Sequence, residues 1–208
     1  MLKFRAPGGL VLLLALSAAS LPASTIALTG WTGGSPATSG SDQMYGWFFD
    51  TSAPLNVDAL GVYDFSSDGL AISHDVGIFR VSDQALLVSA TVPSGAGGSL
   101  LNGFRYSSIT PYALSTGSYV IVMTMPAGNA DSQYINSSAV TTSSPVAYID
   151  SAFGNGSVLT YPASLGDFQE GMFGPNFQFT TGRVQVPEPS SALLLAAGLG
   201  LLWARCRR

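Results

Sequence analysis

Few residues in this chain can do chemistry, and their types narrow the field at once. His74 is the single histidine; Asp75 follows it, and Asp64 and Asp68 stand nearby. A metal would find imidazole and carboxylate ligands there, and a hydrolase would find a His–Asp pair. Two facts weigh against both readings. Adjacent residues of a strand point to opposite faces, so His74 and Asp75 diverge. Asp68 before Gly69 is a common turn former. A calcium ion held by Asp64, Asp68 and loop carbonyls is the better metal reading, because Ca2+ takes oxygen ligands. No other cofactor is expected.

Catalytic arrangements find little support. There is no G-x-S-x-G elbow, and any serine nucleophile would depend on His74. Asp167 and Glu170 could flank a glycosidic bond, but among so many acids some pair falls at that spacing by chance. Beside Phe168 and Phe173 they read as solvated loop charges. Zinc, P-loop and dinucleotide motifs are absent. The body is expected to be non-catalytic. Its aromatics suit binding better: Trp31, Trp47, Tyr106, Tyr112 and Tyr134 could stack on the rings of a polysaccharide. Trp47-Phe48-Phe49 and Tyr119 equally suit a core.

The elements that must position these residues are strands. Residues 24–186 hold 20 glycines and 38 serines and threonines, with one glutamate, Glu170, and no lysine. Gly, Ser and Thr disfavour helix interiors, and no ten-residue stretch has helical apolar spacing. Short β-branched and aromatic runs predict strands at Gly46–Phe49, Leu55–Tyr63, Val76–Val81, Leu86–Val92, Gly103–Ser107, Ser118–Met125, Val146–Ile149, Ser157–Tyr161 and Asn176–Thr180. Tyr119-Val120-Ile121-Val122-Met123 is nearly continuous and reads as a central core strand. Asp68-Gly69, Asn102-Gly103, Thr116-Gly117 and Asn155-Gly156 are turn signals. Thr32–Ser41 and Ala127–Pro145 read as Gly/Ser/Thr-rich loops. Many short strands with turns every 8–12 residues predict an all-β fold, an antiparallel β-sandwich or jelly roll. No internal repeat is visible.

Charge excludes some partners. Residues 24–186 carry eleven acids against Arg80, Arg105 and Arg183, a formal net charge of −8. Such a surface cannot neutralise phosphates, so nucleic acid and acidic membrane are not expected partners. The one cysteine, Cys206, lies outside this region, so the body has no internal disulfide and depends on packing. Its length suffices for one domain with a proper core.

The two ends differ from the body. Met-Leu-Lys-Phe-Arg, an apolar run Gly8–Leu16 and small residues to Pro22-Ala23 have the form of a secretory signal peptide for signal peptidase. Cleavage after Ala23 fits, and Ala27 is the alternative. At the other end, Pro187-Glu188-Pro189 precedes an apolar stretch Ala192–Trp203 and then Arg205, Arg207 and Arg208. The prolines keep the chain extended and readable by a processing enzyme. The apolar stretch is short for a permanent span, and the arginines hold its end cytoplasmic by the positive-inside rule. The expected layout is therefore a signal peptide over 1–23, a body over 24–186 and a hydrophobic tail over 187–208. A signal helix and a hydrophobic helix would flank the all-β body.

This tail resembles the PEP-CTERM sorting signal of Gram-negative bacteria. The resemblance implies recognition by exosortase, an inner-membrane intermediate, and a destination at the cell surface or in the extracellular matrix. The same tail occurs on some ice-binding proteins, but the 14 body threonines show no regular array. A second resemblance rests on Leu60-Gly61-Val62-Tyr63-Asp64, Asp68-Gly69-Leu70, Ser73-His74-Asp75-Val76-Gly77-Ile78-Phe79, Gly103-Phe104-Arg105-Tyr106 and Leu114-Ser115-Thr116-Gly117-Ser118-Tyr119. These look like a β-sandwich domain of unknown function that recurs in secreted bacterial proteins with this tail. Phe79 stands where that pattern has tryptophan. The resemblance implies a fold and an extracellular setting, with no catalytic residues. The expected role is structural or adhesive. A carbohydrate-binding module is the alternative, and a hydrolase or an ice-binding protein ranks lower.

Overall fold

A computed structural model describes residues 23–162, 164–165 and 171–182. The expected signal helix, the tail with Pro187, Glu188, Pro189, Arg205, Arg207 and Arg208, and the pair Asp167 and Glu170 lie outside these residues. Thirteen strands occur in the described residues: β1 (Thr25–Ile26), β2 (Leu28–Ala37), β3 (Gln43–Thr51), β4 (Leu55–Tyr63), β5 (His74–Arg80), β6 (Leu86–Val92) and β7 (Ser99–Leu101), then β8 (Phe104–Leu114), β9 (Gly117–Met125), β10 (Gln133–Thr142), β11 (Val146–Asn155), β12 (Ser164–Leu165) and β13 (Pro175–Thr181). One 3-10 turn covers Phe65–Ser67. Every strand pairing is antiparallel.

Two sheets form the sandwich, ordered β1-β13-β4-β8-β7 and β12-β11-β3-β9-β5-β6. Alternation decides what goes between them. Tyr45, Trp47 and Phe49 of β3 and Tyr119, Ile121 and Met123 of β9 point into the space between the sheets. There they meet Val57, Leu60 and Val62 of β4 and Phe177 and Phe179 of β13. Trp47 is fully buried, and its Nε1–H donates to the Pro175 carbonyl across the sheets at 2.9 Å. The expected core strand at Tyr119–Met123 is β9, third in from one edge of the six-stranded sheet.

The outer face of that sheet is covered as well, which explains the unbroken burial of β9. Phe48, Phe79, Val120, Val122 and Ala152 form a second apolar cluster there, packed under Leu159 and Tyr161. The strand expected at Ser157–Tyr161 is thus an irregular strap, because its apolar side chains lie across a sheet face instead of extending an edge. Gly77 permits that approach, since a Cβ there would stand 2.5 Å from Leu159 Cδ2.

The two stretches read as loops are corrected most. β2 and β10 pair with each other as a separate ribbon, from Gln133↔Ala37 to Thr142↔Leu28. Side-chain hydroxyls reinforce it: Thr29 Oγ1 donates to the Thr141 carbonyl and Thr141 Oγ1 to the Gly30 carbonyl. Buried Asn176 docks the ribbon on β13, its amide accepting from Leu28 N at 3.0 Å and donating to Leu28 O at 2.9 Å. Asn102-Gly103, with φ of 50° and 77°, makes the two-residue hairpin between β7 and β8 that such a dipeptide favours.

Candidate functional site

Where the ribbon meets the end of β4, four aromatic side chains gather at the surface. Trp31 of β2, Tyr63 of β4 and Tyr134 of β10 form a near-equilateral triangle of ring centroids at 5.5, 5.3 and 5.6 Å. Phe65, on the 3-10 turn, adds a fourth ring at 6.5 Å from Tyr63 and 6.4 Å from Tyr134. Buried Phe173 lies stacked on Trp31 at 5.1 Å, and buried Phe104 meets it edge-on. The cluster is rooted in the core yet open above: Trp31, Tyr63 and Tyr134 are half-buried, and Phe65 is 42% exposed. Among the described residues, Trp31 Nε1 and the hydroxyls of Tyr63 and Tyr134 make no hydrogen bond and are not buried. Partial burial and the neighbouring Tyr134 and Asp64 raise the pKa of the Tyr63 phenol, so it stays a neutral donor.

The turn that presents Phe65 is strained. Ser66 and Ser67 both have positive φ, 74° and 60°, a conformation that costs of order 1–3 kcal/mol per non-glycine residue. A buried ion pair holds it. Arg105 Nε donates to Asp64 Oδ2 at 2.6 Å, Nη2 to the Ser67 carbonyl and Nη1 to the Gly98 carbonyl. Both Asp64 oxygens also accept from Gly69 N. Asp64 lies between Tyr63 and Phe65 in sequence and Arg105 follows Phe104, so one ion pair ties the backbone of two cluster rings to that of the buried ring beneath them.

A second pair fixes the approach to Tyr134. His74 is fully buried; its Nδ1 must donate to the Thr124 carbonyl, which can only accept, and its Nε2 faces Asp131 Oδ2 at 2.9 Å. The Asp131 carboxylate accepts from Ala71 N and Ile72 N as well. Burial opposes its ionisation, but His74 and those two N–H groups outweigh burial and hold its pKa below the usual carboxylate value. The segment after Phe65 is thereby tied to the residues before Tyr134.

Of the five aromatics singled out in the sequence, the structure brings Trp31 and Tyr134 together. Trp47 and Tyr106 are corrected: both are core residues, 0% and 2% exposed, and cannot reach a ligand. Tyr112 is half-buried on β8 and has no ring contact with the cluster. Tyr63 and Phe65 were not anticipated, because what joins them to Trp31 and Tyr134 is long-range packing; the Asp-Phe-Ser-Ser-Asp-Gly turn is the only local signal. The calcium pair is corrected too. Asp64 is buried with its charge already met by Arg105, whereas Asp68 is exposed. A divalent cation at Asp64 would face a guanidinium. Among the described residues no group of three or more His, Cys, Asp or Glu is placed to hold a metal.

Comparison with known proteins turns on the C-terminus, where residues 185–208 match the model of the PEP-CTERM protein-sorting motif. The chain carries a PEP-CTERM sorting motif. A PEP-CTERM protein is exported, passes through a membrane-anchored intermediate and is processed by exosortase. The match spans the Pro187-Glu188-Pro189 run, the apolar stretch and the terminal arginines, in the order the sequence reading expected. No curated protein and no solved structure matches the chain.

Proposed function

We propose that this PEP-CTERM protein is a non-catalytic adhesive component of the cell surface or exopolysaccharide matrix. Its attachment surface is the cluster of Trp31, Tyr63, Phe65 and Tyr134. The supporting observation is the presentation of Phe65: a large apolar ring stands in solvent on a strained turn that a buried ion pair keeps in place. A side chain needed only for packing gains nothing from that arrangement, whereas a ring that meets a ligand does. The non-catalytic reading draws on His74, whose two ring nitrogens are committed to Thr124 and Asp131 inside the protein. The test is retention of the exported, processed protein on the producing cell's own matrix. A Trp31→Ala/Tyr134→Ala variant that folds and is exported should wash out where the parent stays. Equal retention would reject the adhesive role of this surface.

A further inference from the structure

We infer that the aromatic cluster takes an uncharged, hydroxyl-rich hexopyranose chain and rejects anionic polysaccharides; this rests on the cluster being the attachment surface. Charge excludes the acidic polymers. A polyanion needs a free cation, and the only arginines among the described residues are both engaged. Arg80 is clamped by Asp83 through two hydrogen bonds of 2.9 and 2.7 Å. Arg105 is buried, with its donors shared between Asp64 and two carbonyls. Residues 24–186 contain no lysine. Exposed carboxylates, by contrast, include Asp68, three positions beyond Phe65, as well as Asp42, Asp50 and Asp75. A uronate brought to this surface would meet like charge with no compensating partner.

Ring geometry excludes two other classes. A quaternary ammonium is held in the space between aromatic faces. Here Trp31, Tyr63 and Tyr134 pack on one another, two contacts edge to face and the Trp31–Tyr134 contact tilted, with interplanar angles of 71°, 84° and 55°, and leave no such space. The same angles make the surface uneven, so it does not match a flat crystalline polymer face. A single flexible chain can lay one sugar ring against Phe65 or Tyr134 and turn its hydroxyls toward neighbouring groups. Those groups are present: the Trp31 indole N–H and the two free tyrosine hydroxyls. They are neutral donors and acceptors, suited to sugar hydroxyls and needing no charge on the ligand.

The test uses the exported, processed protein and the producing strain's matrix, separated by anion exchange into uncharged and anionic polysaccharide fractions. The parent should be retarded by the uncharged fraction in affinity electrophoresis, with little change between about 0.05 and 0.5 M salt. Trp31→Ala/Tyr134→Ala should weaken retention by about tenfold or more, a loss of about 1.4 kcal/mol. Phe65→Ser, a change on an exposed turn, should weaken it in a protein with an unchanged melting temperature. Retention by the anionic fraction that these variants abolish would overturn the ligand class and leave the adhesive surface standing. Retention by neither fraction, or retention indifferent to all the variants, would overturn both.

Discussion

The protein builds two aromatic assemblies from the same kind of contact and surrounds them differently. Between the sheets, Trp47, Phe49 and Phe177 pack at centroid distances of 5.0 to 5.9 Å. At the surface, Trp31, Tyr63 and Tyr134 pack at 5.3 to 5.6 Å. Distance does not separate them; what surrounds them does. The inner rings are closed on every side by apolar strands and need no polar support beyond the Trp47 hydrogen bond. The outer rings are open above and are held from beside and below by the buried Arg105–Asp64 ion pair and the His74–Asp131 hydrogen bond. Half-exposed rings are kept in place here by polar side-chain pairs that the chain packs next to them.

Substitutions can break that comparison or sharpen it, and the largest effect belongs to the inner assembly. Trp47→Ala should cost about 3–5 kcal/mol, read as a lowered denaturation midpoint, because the cavity lies between two rigid sheets. If Trp31→Ala cost as much, the outer rings would be ordinary core and the distinction would fail. Arg105→Ala should also cost about 3 kcal/mol, since it leaves buried Asp64 without its partner. It should in addition release the Phe65 turn, seen as faster amide exchange at Ser66–Gly69.

Asp131→Asn ranks next, at roughly 1–3 kcal/mol for hydrogen bonds to a charged group. Because the folded protein lowers the Asp131 pKa, its contribution is complete above the ordinary carboxylate value of about 3.9. That contribution fades as pH falls through the lower folded value. Melting temperatures taken between neutral and acid pH should therefore drop more steeply for the parent than for Asp131→Asn. Parallel curves would remove Asp131 from the support of the cluster. Phe65→Ser should leave stability within about 0.5 kcal/mol while weakening matrix retention. Smallest of all, Arg80→Ala should shift neither melting temperature nor retention, because the Arg80–Asp83 pair lies in solvent.

How much of this was legible in the sequence depended on whether an element announces itself locally. β4 and β6 were read at their observed bounds, since β-branched residues and flanking turns mark them. The ribbon of β2 and β10 was missed because Gly30, Gly33, Gly34, Ser35, Ser137 and Ser138 carry no apolar alternation. Their pairing comes from partners about a hundred residues apart and from hydroxyl-to-backbone bonds. The site divided along the same line. Trp31 and Tyr134 could be named as aromatics, but only the fold shows that Tyr63 and Phe65 join them. His74 was rightly separated from Asp75, whose side chain is exposed. Its actual partner, Asp131, is 57 positions away and beyond any local pattern.

One pairing bears on timing. β13 is inserted between β1 and β4, with Thr25 opposite Phe179 and Phe179 opposite Val57, so the first and last strands of the described body are neighbours. A chain leaving the membrane from its N-terminal side cannot close this sheet until residues near 180 have crossed. The sorting motif begins at 185, almost immediately afterwards. Completion of the sandwich and arrival of the motif at the membrane are thus nearly one event in the order of export.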